Sequence, residues 1–166
     1  MVTLRPWAET DAELLTEYFN NINIWNSLRD YIPHPYSSSD AGSFLKAQAE
    51  TELPRNFAIM DGETFSGGIG IILGEDVYRM NVELGYWIAE PYWGKGIATE
   101  AVRLITEYAF VTFAINRILA SVFEFNRTSM RVLEKNGYHL ENVRRKGVLK
   151  NDFLVDEYIW VKQKII

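Results

Sequence analysis

The chain has 166 residues, no cysteine, two histidines, and 22 acids against 17 bases for a formal charge of −5. Missing thiols exclude a disulfide scaffold, zinc–thiolate or iron–sulfur ligation and a thiol nucleophile, and two histidines leave little for a multi-histidine metal site. The length suits one domain, residues 1–166, able to bury roughly 70% of its unfolded surface, and the acidic balance argues against direct nucleic-acid binding. The start, Met1-Val2-Thr3-Leu4-Arg5-Pro6-Trp7, lacks the apolar run of a signal peptide, and acids follow at Glu9, Asp11 and Glu13. The longest apolar stretch, Tyr108 to Ile115, is broken by Thr112 and is too short to span a bilayer. The expectation is a soluble, cytoplasmic protein with no membrane partner.

The first predicted strand runs from Val2 to Trp7. Thr10 with Glu13 reads as a capping box for a helix from Asp11 to Asn20. The Asn-rich stretch after Asn20 breaks that pattern, with room for a short helical piece over Ile24–Asp30. Pro33-His34-Pro35 forces a turning backbone. Ser38-Ser39-Asp40 then caps a helix from Asp40 to Glu52. Asn56–Met60 reads as a strand, Asp61-Gly62 as a hairpin turn, and Thr64–Leu73 as the returning strand, with Gly67, Gly68 and Gly70 marking bends. Asn81–Ile88 is a further strand. Apolar residues at helical spacing run from Thr99 to Ala114, and a strand covers Arg117–Phe125. Asn126 caps a helix that Gly137 stops near Asn136, and two last strands, Tyr138–Arg145 and Phe153–Val161, flank a turn at Lys150-Asn151-Asp152. This order predicts a mixed α/β sheet with helices on its faces.

The informative stretch is Glu83 to Ala101. A strand ends, a loop carries Gly94 and Gly96, and a long helix begins. Amides of such a loop, with the positive end of a helix, form a phosphate-sized anion site. The NTPase phosphate loop does not fit, because Gly94-Lys95 is followed by Gly96 and Ala89 stands five places before Gly94. A dinucleotide fingerprint does not fit either, since Thr99 replaces its third glycine or alanine. A plain strand-to-helix turn with glycines at positive φ is the simplest alternative.

At these residues the chain resembles the GNAT (GCN5-related N-acetyltransferase) superfamily, and within it the RimJ/RimL-type group that acetylates N-terminal amines of ribosomal proteins. The family's pyrophosphate loop reads Gln or Arg, two residues, Gly, one residue, Gly or Ala; here Trp93-Gly94-Lys95-Gly96-Ile97-Ala98 occupies those positions. Further family-like pieces are Glu83-Leu84-Gly85-Tyr86-Trp87-Ile88, Asn126-Arg127-Thr128-Ser129, Lys135-Asn136-Gly137-Tyr138 and Asp156, so the likeness spans nearly the whole chain. Two departures stand out: Trp93 at the first loop position, and Lys146-Gly147-Val148 where some members carry a glutamate proposed as a base.

The resemblance implies an α/β (α+β) fold with a central, mostly antiparallel sheet of six or seven strands, helices on both faces, and a splay between the fourth and fifth strands. It implies acetyl-CoA as cosubstrate, without a metal. The strand end at Ile88 and Ala89 would pair with the pantetheine arm, and amides of Trp93, Gly94, Lys95, Gly96, Ile97, Ala98 and Thr99 would hold the pyrophosphate. Asn126 would meet the pantetheine and Ser129 the coenzyme sulfur, where its hydroxyl could serve the departing thiolate. As an N-cap, Asn126 has a structural role as well.

Acetyl transfer needs an unprotonated amine, an oxyanion donor and a proton for the leaving thiolate. A cysteine-free chain has no acetyl-thiol intermediate, so direct attack in a ternary complex is the economical route. Glu83 is the leading base candidate. Alternation places it on one face with Gly85 and Trp87, and a carboxylate desolvated on a central strand binds a proton more readily. A salt-bridged glutamate that orients the loop is the competing reading. Arg127, Arg131 and Lys135 form a helical row that could meet the 3′-phosphate or remain a solvated stripe. Trp25, Tyr31, His34, Tyr36 and Trp87 are candidates for the acceptor pocket, and His139 looks structural.

The acceptor would be a primary amine: a protein N-terminus, a polyamine, an aminoglycoside or another small amine. The competing classes are a non-catalytic CoA-binding module on the same fold and a stacking platform of Tyr86, Trp87, Tyr92 and Trp93 for sugars or bases. Either a monomer or a homodimer fits. Charge is uneven: residues 117–166 carry ten bases and six acids, while every acidic excess lies earlier. That places positive charge where an anionic ligand is expected and leaves an acidic remainder for a cationic amine.

Overall fold

In the computed structural model of the chain, which describes residues 1–165, alternating apolar segments assemble a seven-stranded sheet. The strands are β1 (Val2–Pro6), β2 (Asn56–Asp61), β3 (Thr64–Leu73), β4 (Asn81–Ile88), β5 (Arg117–Phe123), β6 (His139–Lys150) and β7 (Phe153–Gln163). Their spatial order is β1-β2-β3-β4-β5-β7-β6. All neighbours run antiparallel except β4 and β5. The helices are α1 (Ala12–Phe19), α2 (Ile22–Trp25), α3 (Ser38–Ala49), α4 (Ile97–Thr112) and α5 (Arg127–Lys135).

The period of two along the strands divides two apolar layers. On one face β4 sends Val82, Leu84 and Ile88 into a core with Ile59, Ile71 and Ile118. There α4 contributes Ile97, Ala101, Val102, Ile105 and Ala109, the i, i+4, i+5, i+8 and i+12 positions of one face. On the other face Trp87 packs with Leu15, Phe19, Ile24, Tyr36 and Leu45 from the first three helices and their connections. Gly68 makes that packing possible. A Cβ there would lie 2.6 Å from Trp87 Nε1 and 3.1 Å from the Trp7 ring.

The parallel β4–β5 ladder is short. It pairs Asn81 with Arg117, Val82 with Ile118 and Glu83 with Leu119, and goes no further. Beyond Glu83, β4 continues against β3 alone, while β5 follows β7 as far as Phe123. The sheet therefore opens like a V at its centre, as the family resemblance implies. The open end faces the loop that follows β4.

Local chemistry shifted several boundaries. The Thr10–Glu13 box does not start α1. Asp11 does the capping work instead, taking the Ala8 amide at 2.8 Å and both Arg5 guanidinium nitrogens at 2.9 and 2.8 Å. Those contacts hold residues 9–11 in a tight helical turn, and α1 begins at Ala12. The short piece after Asn20 begins earlier than expected, at Ile22, because Asn21 accepts the Asn23 amide. Ser37, rather than Ser38 or Ser39, caps α3 in a reciprocal box with Asp40. Helix α4 starts at Ile97, two residues early, because Gly96 takes φ 78° and turns the chain directly into it. Strand β6 runs on to Lys150 through a bulge between Arg144 and Val148.

Burial pushes the Asp11 carboxyl upward, but the Arg5 hydrogen bonds and the Ala8 amide outweigh it, so the group sits below the usual carboxylate range. A depressed folded value means stabilisation that is full above the unfolded value, near pH 4, and lost as pH falls through the folded one. Asp11→Ala should cost about 2 kcal/mol at pH 7 by urea denaturation. The gap to wild type should narrow as the pH is lowered toward 3; a gap independent of pH would show that the ion pair does not anchor this corner.

Candidate active site

A cleft of about 980 Å³ fills the splay. It runs from the loop after β4, past the start of α5, to the aromatic layer under α1–α3.

The anion end is built by the loop and α4. A turn at Glu90–Tyr92 follows β4, and Gly94 and Gly96 adopt φ 74° and 78°, which only glycine holds without strain. A Cβ at either glycine would meet nothing within 4 Å, so a ligand can come up to the backbone. Residues 94–96 donate no amide to an acceptor among the described residues, and the first turn of α4 leaves 97–99 unpaired by helical geometry. Gly96 provides no side-chain cap. The result is a row of amides at a positive helix end, open to an anion. The loop is held from behind. Asn21 and Asn23 donate to the Glu90 carboxylate, which those bonds keep below its ordinary range. Tyr18 and Tyr92 hydroxyls meet at 3.2 Å, Lys95 Nζ lies 5.1 Å over the Tyr92 ring, and Asn136 donates to Thr99 O at 3.0 Å.

Trp93 serves through its side chain and not, as expected from the sequence, through its amide, which donates to Glu90 O at 3.2 Å. Its indole N–H donates to the Ile88 carbonyl at 2.7 Å and ties the loop to the end of β4. Trp93, Gly94, Lys95, Gly96, Ile97, Ala98, Thr99 and Ile88 all line the cleft. Ala89 does not. It is fully buried, its amide donates to Ser66 O at 2.8 Å, and its carbonyl accepts the Tyr92 amide. With both backbone groups spent, Ala89 has nothing to offer a pantetheine, which corrects the expectation from the sequence.

In the middle of the cleft, Asn126 caps α5 by accepting the Ser129 amide at 3.2 Å, which leaves its Nδ2 free. Ser129 Oγ lies 2.7 Å from Tyr86 Oη, and the Tyr86 hydroxyl also reaches Ser129 O at 3.2 Å. Burial drives the Tyr86 phenol well above its ordinary value, against the opposing effect of its Ser129 bond, so it keeps its proton. Sequence reasoning named Tyr86 only in a family-like segment and in the stacking platform, and passed over its place beside Ser129. Strand alternation carries the missing signal: Tyr86 shares the parity of Val82 and Leu84, opposite Glu83, and so faces α5.

Glu83 lies at the last rung of the parallel ladder. It is not the lone desolvated carboxylate that the alternation suggests. Its Oε1 accepts from Arg29 Nη2, and its side chain is 28% exposed. It is a salt-bridged glutamate whose second oxygen, Oε2, has no partner among the described residues. No local pattern marks Arg29, which comes from the turns after α2.

The acceptor end is aromatic. Trp7, Phe19, Tyr31, Tyr36, Phe44 and Trp87 line it, with Phe19 and Trp87 rings 4.8 Å apart. Burial, then the nearby Asp40, pushes the Tyr36 phenol up to about 12. Of the expected acceptor residues, Tyr31, Tyr36 and Trp87 are brought together here. Trp25 and His34 are not; they stack on each other at 5.4 Å outside the cleft. The Arg127 row splits too. Arg131 and Lys135 line the cleft, whereas Arg127 sits 5.3 Å over the Tyr158 ring. Asp156 lies off the cleft and clamps the β6 bulge through the Lys146 amide and Arg145, both of which hold its carboxyl low. His139 is exposed at the first β6–β7 pair. Among the described residues no group of three or more potential ligands gathers for a metal, and no helix is long and apolar enough to cross a membrane.

An open α/β sheet parted at a parallel pair, with an uncapped amide row on one side and an aromatic arm on the other, makes a cleft suited to a phosphate-bearing donor at one end and an acceptor at the other. Residues 1–139 match the acetyltransferase (GNAT) domain, and the chain belongs to that family. Among its relatives, it is 33% identical to the uncharacterized N-acetyltransferase p20 of Bacillus licheniformis, covering 96% of this chain and 90% of that one. It is 30% identical to the putative ribosomal N-acetyltransferase YdaF of Bacillus subtilis over 90% and 84% of the two chains. A shorter match, 46% identical, covers 46% of this chain and 42% of the probable N-acetyltransferase YjcK of the same organism. Two solved structures share the fold: Mycobacterium smegmatis RimJ in complex with CoA-disulfide (TM-score 0.85, 22% identity, 98% and 81% covered) and Vibrio cholerae spermidine N-acetyltransferase in complex with CoA and spermine (TM-score 0.83, 20%, 98% and 95%). The protein is an acetyl-CoA-dependent N-acetyltransferase, which moves an acetyl group to a primary amine.

Gly96→Glu places a carboxylate among the amides and strains a left-handed residue. CoA affinity by calorimetry should fall by roughly a hundredfold. Thermal stability should drop by only a few degrees. Unchanged affinity would remove this loop from the coenzyme site.

Proposed function

We propose that the acceptor is the α-amine of a protein or peptide N-terminus, such as that of a ribosomal protein. The observation that carries this reading is the Arg29–Glu83 pair at the acceptor arm. A polyamine is a string of positive charges and is best held by several unpaired acids. Here Arg29 neutralises Glu83, and the Asp40 carboxylate is engaged by Ser37. A peptide terminus instead presents one ammonium beside a carbonyl. Glu83 would take the first and Arg29 the second, while aromatic walls hold the first side chain. The ribosomal assignment of the relative YdaF agrees with this reading.

The residues then divide the work. Amides of residues 94–99 hold the pyrophosphate, and the cations of Arg131 and Lys135 meet the 3′-phosphate. Ile88 and Asn126 Nδ2 position the pantetheine. Glu83, directly or through a water, accepts the proton that the ammonium must lose before its lone pair attacks. The new N–C bond forms and the C–S bond breaks; the nitrogen's remaining surplus proton ends on the departing thiolate by way of the Ser129 hydroxyl, which takes one proton as it gives its own. For that proton to point into the cleft, Tyr86 must be the donor in the Tyr86–Ser129 bond, and its raised phenol guarantees that it has a proton to give. No cysteine exists to carry the acetyl group, so transfer is direct. Every group used comes from one chain, which a monomer or a homodimer satisfies equally.

A thiol-release assay comparing free-N-terminus peptides, the same peptides blocked at the N-terminus, and spermidine tests the acceptor. Turnover should require the free terminus; faster acetylation of spermidine than of every peptide would replace this reading with a polyamine enzyme. Ser129→Ala should lower kcat by about 10²-fold with CoA affinity retained. Glu83→Gln should change the pH–rate profile between pH 6 and 9, and a full rate across that range would remove Glu83 as the base.

A further inference from the structure

Lys150, the last residue of β6, keeps only 2% of its side chain exposed, yet it lines no part of the cleft. Its ammonium lies 2.7 Å from Asp30 Oδ1 and 3.3 Å from the centroid of the Trp25 ring. Taking an ammonium out of water costs several kcal/mol unless partners replace the lost solvent, and here a carboxylate and an aromatic face do so. These partners hold one another to a fixed geometry.

The geometry matters because of what lies between them. The segment 26–33 has neither helix nor strand, only turns. Leu28, Arg29, Tyr31 and Ile32 of this segment line the cleft. It is pinned at separate points: Asn151 Nδ2 donates to Asn26 Oδ1 at 2.9 Å, Lys150 holds Asp30, and Trp25 Nε1 donates to Ile32 O at 2.9 Å. Arg29, next to Asp30, reaches Glu83. The tip of the β6–β7 hairpin thus reaches across more than a hundred residues of sequence to fasten one wall of the acceptor arm.

We infer that Lys150, Asp30 and Trp25 form a latch by which the β6–β7 tip positions the acceptor wall, Arg29 included. They are positioning residues that set acceptor recognition without touching the reacting atoms. This rests on the reading that the aromatic arm receives the amine.

The test uses the full chain with Lys150→Met, Lys150→Arg and Asp30→Asn. The Asp30 side chain is 63% exposed, so its variant spares the fold if Lys150→Met does not. In the thiol-release assay, with a free-N-terminus peptide and with spermidine, Lys150→Met should raise acceptor KM about tenfold. Its kcat should stay within about twofold and its CoA affinity should not change. Lys150→Arg, which keeps both the charge and the stacking, should restore KM, and Asp30→Asn should shift it in the same direction as Lys150→Met. Amide exchange should speed up over residues 26–33 and stay unchanged over 94–99. Parallel loss of CoA affinity and kcat, or an unchanged acceptor KM, would overturn the latch. Wild-type enzyme inert toward both amines would instead sink the acceptor reading, and exchange unchanged at 26–33 would overturn the latch regardless.

Discussion

The end of the parallel β4–β5 ladder at Glu83–Leu119 governs the molecule. Parallel strands need a crossover, and α4 supplies it, so the start of that helix must lie at the carboxyl end of β4. The splay then leaves the β4 backbone unpaired on one side in front of that helix start. One topological event thus produces both an open strand edge and a positive helix end, side by side. The strand edge suits an amide-bearing arm and the helix end suits a diphosphate. Brought together, they describe a coenzyme whose two parts are those chemical types.

The same opening separates the two faces of the sheet and gives β4 two functions. Odd positions, Glu83 and Trp87, face the aromatic layer and the acceptor. Even position Tyr86 faces α5 and the donor's reactive end. A two-residue period is enough to place the proposed base and the proposed proton donor on opposite sides of the bond to be exchanged. The charge distribution follows the same division. Bases gather in residues 117–166, where Arg131 and Lys135 border the donor end, while the arm for the amine carries Asp40, Glu83 and one arginine. The net charge of −5 therefore averages over regions of opposite sign.

Features set by neighbours in sequence were legible before the structure. The Asp61-Gly62 hairpin, the Gly94–Gly96 turn, the Asn126 cap and the stop at Gly137 are local, and each lies where the residues place it. Boundaries moved where another side-chain contact prevailed, even one close in sequence. Arg5 recruits Asp11 away from the Thr10 box, and Asn21 starts a helical turn by capping it. The site was legible to the same depth. Its amide row follows from glycines alone, whereas the state of Glu83 depends on Arg29, 54 residues earlier, through a contact that no spacing rule encodes. Ala89 illustrates the opposite error. It belongs to the motif by position, but a bond to Ser66 across the sheet uses up its amide.

The missing cysteine sets the last constraint: it rules out an acetyl-thiol intermediate, and in the proposed direct transfer the reaction finishes in one complex. A thiolate leaving into a largely apolar cleft is poorly solvated, so its proton has to be in place beforehand. Ser129 alone meets this badly. An isolated hydroxyl rotates freely and is as ready to donate to a backbone carbonyl as to sulfur. Tyr86 removes that freedom. Its phenol keeps its proton because it is buried, and by donating to Ser129 Oγ it occupies a lone pair and directs the serine proton elsewhere. The competing arrangement, with Tyr86 donating to Ser129 O at 3.2 Å, turns the serine proton back onto the tyrosine. The 2.7 Å contact between the two hydroxyls is common to both arrangements, but only the first turns the serine proton into the cleft, so the departing sulfur selects it. In a protein without thiols, this hydrogen-bond direction does the work that a more acidic residue would otherwise do.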